Sequence, residues 1–166
     1  MSYDLMVFDP EAAPREREQF VIWYRQQTEW TDAYSDVDPA ISAEGLQSWY
    51  RSMLPAWPNM QEINDDQVDD PHVTGYTISR SSIYADFRWS AAEEAYEAVR
   101  RLAIEHRVGF YDVSGDDGDG EIYFPGDTPR PPSGGAWRDV SQQFKDTETT
   151  IAPPKASWFD FFRRKK

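Results

Sequence analysis

His72 and His106 are the only imidazoles in the 166-residue chain, and cysteine is absent. Thiol catalysis, cysteine-ligated zinc, iron–sulfur clusters and a disulfide framework are therefore excluded. A hydrolytic triad needs a nucleophile, a base and an orienting acid. Serines and aspartates are plentiful, but no Gly-x-Ser-x-Gly elbow supplies a nucleophile context. Nor is there a Gly-x-Gly-x-x-Gly, a Walker loop or a His-Glu-x-x-His. The stretch from Asp112 to Glu121 has the composition of a calcium loop but not its spacing. An EF-hand needs glycine at its sixth position and a carboxylate at its twelfth, and those positions hold Asp117 and Tyr123. Glycines and aspartates between two apolar runs read instead as a hairpin turn, because both tolerate positive φ. If the chain is an enzyme, His106, Tyr111 and Asp112 are where its site would form. No catalytic residue, metal site or cofactor is otherwise assigned.

The acidic side chains carry a different chemistry. Thirty acids against 17 bases give a net charge of −13, which opposes general binding to nucleic acid or to anionic membranes. The acids cluster in two places, Asp65, Asp66, Asp69 and Asp70 in one loop and Asp116, Asp117 and Asp119 in a turn. Exposed carboxylate clusters suit the steering of a basic protein partner, and these seven residues are the candidate partner-binding set. Adjacent pairs such as Glu93-Glu94 read as solvated surface.

The hydropathy pattern gives the elements that must hold these groups. Tyr3–Phe8 is a short apolar run that reads as a buried strand. Pro14 suits the first turn of a helix carrying Phe20, Trp23, Tyr24 and Gln27 at helical spacing. Ser42 is placed to cap a second helix whose Leu46, Trp49, Tyr50, Met53 and Leu54 share one face. Residues 74–79 and 82–89 read as strands joined by a turn at Arg80-Ser81. Ser90 and Glu93 have the spacing of a capping box for a helix with Ala92, Ala95, Tyr96, Val99, Leu102 and Ala103 on one face. Strands over 108–113 and 121–124 complete the order β-α-α-β-β-α-β-β. The expected fold class is α+β, a mainly antiparallel sheet with helices on one face, in a variant of the ferredoxin-like split pattern. Trp23, Trp30, Trp49, Trp57 and Trp89 are expected in its core.

Charge also divides the chain. Residues 1–126 hold 25 acids and nine bases, whereas residues 127–166 hold five and eight and carry five of the 12 prolines. The expected organisation is an acidic α+β domain over 1–126, followed by a Pro/Gly-rich linker and a flexible aromatic-basic tail. That tail ends in Trp158, Phe159, Asp160, Phe161, Phe162 and four bases, a pattern suited to docking as an adaptor. No basic-then-apolar leader opens the chain, and no window approaches the roughly 18 apolar residues of a membrane span. The expected location is the cytoplasm, without stable membrane association.

Four segments together resemble a family of small bacterial proteins. They are the Tyr3-Asp4-Leu5 strand, Trp57-Pro58 after a helix, Trp89-Ser90-Ala91-Ala92, and Ala103…His106 followed by Tyr111-Asp112. The resemblance covers residues 3–113 and is similar to that of immunity proteins of polymorphic or type VI toxin systems. It implies a non-enzymatic protein that occludes the active site of a cognate bacterial toxin with a basic cleft. The shared motifs are structural landmarks, so no active-site residue follows from it.

Overall fold

A computed structural model describes residues 2–115, 120–128 and 136–150. Strand β1 (Tyr3–Phe8) is apolar on both faces because both are covered. It runs antiparallel between β4 (Ser82–Phe87) and β5 (Gly109–Asp112). Beyond β4 lies β3 (Gly75–Ser79), joined to it by the turn at Arg80-Ser81, and then the two-residue edge strand β2 (Tyr34–Ser35). Beyond β5 lies β6 (Ile122–Tyr123). The sheet order is β2-β3-β4-β1-β5-β6, with every neighbouring pair antiparallel. With helices α1 (Arg17–Gln27), α2 (Glu44–Met53), α3 (Ala92–Glu105) and α4 (Ala136–Thr150), the fold is α+β. The short strand β2 and the helix α4 are additions to the expected order.

The helices do not all share one face. Because successive side chains of a strand point to opposite sides, Tyr3, Leu5 and Val7 face the buried stripes of α2 and α3. Met6 and Phe8 point the other way, where Phe20, Trp23 and Tyr24 of α1 close over them. The expectation of helices on one face therefore fails for α1. A strand with large apolar side chains on both faces needs a layer on each side, and α1 supplies the second.

Two expected caps also differ. The N-cap of α2 is Ala43 without a side-chain bond, while the Ser42 hydroxyl donates to the Ser79 carbonyl and ties the helix to β3. Ser90 lies inside a 3-10 turn, Trp89–Ala91, that tightens the entry to α3, and its hydroxyl caps nothing. At the other end, His106 is the C-cap of α3, and Arg107 takes the left-handed conformation (φ 56°) that usually falls to glycine. A part-buried Arg100–Glu121 pair, with the guanidinium Nε and Nη2 both donating to the carboxylate, fastens the start of β6 to α3. Tyr96 donates to the same carboxylate.

The prolines and glycines after Phe124 predict a semi-extended linker, yet residues 136–150 are helical. Helix α4 lies against α3 and the Trp89–Ala91 turn. Phe144 stacks on Trp89 (centroids 6.4 Å, planes 19° apart), and Trp89 in turn meets Tyr3 at 5.2 Å. The aromatic side chain at this position, rather than the composition of the stretch, gives the helix something to bury. Phe144→Ala is expected to cost about 1.5–2.5 kcal/mol, half the loss for a fully buried phenylalanine. A lower urea midpoint at unchanged slope checks it; an unmoved midpoint would mean that α4 adds nothing to the fold.

Candidate functional site

Asp65, Asp66, Asp69 and Asp70 are all exposed, on a loop whose backbone is pinned from several sides. Its base is closed where Met60 N–H donates to Thr74 O and Thr74 N–H to Pro58 O, both at 2.9 Å. Asp65–Gln67 forms one 3-10 turn, with the Gln67 side chain accepting from the Asn64 N–H. Further along, Arg88 Nη2 donates to Val68 O at 3.0 Å. His72 then clamps the far side: its Nε2 lies 3.0 Å from Glu94 Oε2, its Nδ1 3.3 Å from Asp70 Oδ1, and its ring packs edge-on to Trp57 at 4.7 Å. The loop thus displays four carboxylates on a backbone held by the body of the protein. Asp116, Asp117 and Asp119, the other half of the sequence-derived set, lie outside the described residues, as does the tail from 151 to 166.

The residues considered for an enzymatic site do not converge. His106 Nε2 is 2.8 Å from Ser52 Oγ on the outer surface of α2 and α3. Tyr111 and Asp112 are consecutive in β5, so the pleat sends them to opposite faces. Tyr111 packs edge-on to Phe20 and Tyr24 beneath α1. Asp112 is buried on the other side and accepts from the Tyr3 hydroxyl. Spacing in sequence brought the three together, and strand alternation separates them. Among the described residues no group of three or more histidines and carboxylates is placed to hold a metal ion.

A second feature escaped the sequence reading. Helix α1 covers the sheet face over β1, β5 and β6, and past its end the face over β3 and β4 opens into a cleft of about 200 Å³. Trp30, Tyr34, Asp36, Thr77, Tyr84 and Asp86 line it. Trp30 belongs to neither core cluster. Its ring lies 5.8 Å from Tyr34 and 6.1 Å, edge-on, from Tyr84. Its backbone is left-handed at φ 51°, a conformation costly for a bulky residue and a marker of a position fixed by its surroundings. Tyr84 is locked by donating to Asp4 Oδ2 at 2.7 Å. Burial first, and then the Asp4 charge, hold its phenol far above the usual tyrosine range. Asp36 is anchored through its carbonyl, which accepts from Asn59 Nδ2. The signal available in the sequence was the alternation of β4, which puts Tyr84 and Asp86 on the face opposite Ile83, Ala85 and Phe87.

Comparison with protein families, with curated proteins and with solved structures gives no match. Among the described residues no helix is long and apolar enough to cross a membrane.

Proposed function

We propose that the protein is an immunity protein, binding a cognate bacterial toxin in the cytoplasm and occluding its basic active-site cleft. The observation that carries this reading is the pinned acidic loop. A merely solubilising loop has no need of Arg88, His72 and a closed base to fix its backbone. A loop that must meet a partner gains from entering the complex already ordered. Four exposed carboxylates on that pinned backbone, in a chain of net charge −13, would speed encounter with a basic partner, with more effect on association rate than on final affinity.

Co-expression with the toxin encoded beside this gene tests the reading. The neighbour alone is expected to stop growth and co-expression of this chain to restore it; a neighbour that is harmless alone, or lethal despite this chain, defeats the reading. Replacing Asp65, Asp66, Asp69 and Asp70 by Asn is expected to slow association about tenfold or more at low salt and to flatten its salt dependence, leaving dissociation nearly unchanged. Stopped-flow or biosensor kinetics at two salt concentrations reads this directly. An unchanged association rate removes the loop from the interface.

A further inference from the structure

Apolar side chains gather on the surface where β2 ends the sheet. Among the described residues five large hydrophobic side chains are exposed, and two of them, Ile22 and Ile104, stand singly on helices as surface hydrophobics commonly do. The other three, Tyr34 (51% exposed), Val37 (42%) and Ile41 (38%), fall within eight residues. Trp30 lies partly buried against Tyr34. None of the four packs into either core cluster. The segment that carries Tyr34, Val37 and Ile41 is nonetheless ordered. The Ser35 hydroxyl accepts from the Val37 and Asp38 N–H groups, and Asp38 Oδ1 accepts from the Ala40 N–H to cap a 3-10 turn, Pro39–Ile41, that lies beside β2. Asn59 Nδ2 donates to Asp36 O and ties the segment to the body. Turning three apolar side chains outward from so constrained a backbone gains little for the fold. For a partner it is an advantage, because a surface ordered beforehand loses little entropy on binding.

We propose that this patch is the apolar centre of the partner interface, covered by a basic face of the partner protein that presents apolar side chains between lysines or arginines. Charge decides the occupant. Between Arg25 and Arg51 the chain holds five acids and no base. Among the described residues Arg80 is the only base lining either cleft beside Trp30 and Tyr34. A second copy of this chain, docked by the same patch, would set acids against acids across a two-fold axis. A basic partner instead meets an apolar centre with an acidic rim, the usual anatomy of a specific interface, in which tryptophan and tyrosine are the favoured anchors. The patch is also continuous with the pinned acidic loop, since Met60 and Gln61 near the base of that loop line the same cleft as Trp30, Tyr34 and Asp36. The two surfaces then divide the work. The loop's carboxylates set association, and the side chains covered at the patch set dissociation. The proposal rests on the inhibitor reading for the identity of its partner, but the chemistry of the patch is testable without one.

The full chain, labelled with ¹⁵N, is titrated with the acetylated and amidated peptide Lys-Leu-Lys-Leu-Lys. Saturable amide shifts centred on residues 30–41 are expected, with a dissociation constant of about 1–10 mM. Lys-Ser-Lys-Ser-Lys, of equal charge, and Glu-Leu-Glu-Leu-Glu, of opposite charge, are expected to give no saturable shift there. Tyr34→Ala and Val37→Ser should each weaken binding of the lysine-leucine peptide at least fivefold, and either serves if the other fails to fold. Ile104→Ala, exposed but away from the patch, should leave it unchanged. Equal shifts with the serine peptide, shifts centred elsewhere, or binding unchanged in the patch variants overturns the assignment. So does a chain that dimerises in sedimentation equilibrium and returns to monomer with Val37→Asp, because a second copy would then be the occupant. The toxin encoded beside this gene separates the patch from the parent reading. Tyr34→Ala is expected to speed its dissociation about tenfold or more with little change in association, the converse of the acidic-loop variant. Peptide binding at the patch without protection from the toxin defeats the inhibitor function alone. Protection and toxin dissociation both unaltered in Tyr34→Ala and in Val37→Ser defeat the patch as its anchor alone.

Discussion

Raising the pH from about 9 to 12 is expected to unfold the protein in one cooperative step, driven by its tyrosines. Seven phenols are held above the ordinary tyrosine range. Burial is the leading cause for each of Tyr3, Tyr24, Tyr50, Tyr76, Tyr84, Tyr96 and Tyr111. At Tyr3, Tyr84 and Tyr96 a neighbouring carboxylate adds to it, from Asp112, Asp4 and Glu121 respectively. Tyr24 is pushed up to about 12. The charged form of tyrosine is the deprotonated one, so burial keeps these protons on in the folded state. The unfolded chain releases them near pH 10. Above that pH the folded state binds more protons than the unfolded one, and stability falls as pH rises through the folded values. Each such phenol contributes a slope of about 1.4 kcal/mol per pH unit. Several together exhaust the about 5–15 kcal/mol of a typical domain within one or two units. Tyrosinate absorbance at 295 nm and far-ultraviolet circular dichroism should therefore change together, with a midpoint near pH 11. Tyr76→Phe, which loses the hydroxyl that donates to Trp57 O, should make the transition shallower. A gradual absorbance titration centred near pH 10 with intact dichroism would show instead that the phenols are open to solvent.

The same tyrosines show what could be read from the sequence and what could not. Periodicity located β1, α2, β3, β4, α3 and β5, because each has a buried stripe long enough to register at period 2 or 3.6. It missed β2, whose two residues have no period, and α4, whose surroundings of proline and glycine outweighed the packing of residues such as Phe144 on Trp89. It placed Trp30 in the core because a tryptophan near the end of an amphipathic helix usually packs there. The left-handed φ of that residue, which turns it out of the helix and over Tyr84, leaves no trace in composition. The acidic loop was legible as charge alone. The backbone that fixes it depends on Arg88 and His72, which approach from other elements. The supposed grouping of His106, Tyr111 and Asp112 failed for an elementary reason. Proximity in sequence crosses a helix end and then a strand, and a strand parts its neighbours.

The most severe single substitution expected in the fold is also the smallest, Gly109→Ala. Gly109 begins β5 directly opposite Phe8 of β1. A Cβ built there would lie 2.1 Å from the Phe8 ring, far inside van der Waals contact. The ring has nowhere to go. Phe8 is fully buried and packed against Phe20 at 5.0 Å, Trp23 at 5.9 Å and Phe124 at 5.1 Å. Interiors are packed as densely as crystals, so a clash of this depth is met by moving backbone. The backbone in question joins β1 to β5 at the centre of the sheet. Overpacking typically costs about 1–3 kcal/mol; with both partners held in paired strands the expected loss is at the top of that range or above it, about 3 kcal/mol or more. No glycine-specific dihedral is involved, since the residue has no positive φ, and the effect is one of space alone. That makes a rescue possible. Phe8→Leu removes the part of the ring nearest the new methyl, so Phe8→Leu with Gly109→Ala should be less destabilised than the sum of the two single changes by about 1 kcal/mol or more. Urea unfolding of the four proteins in the cycle measures this. Additive losses would show that Gly109 is required for some other reason, and that the close approach to Phe8 is not what selects glycine at this position.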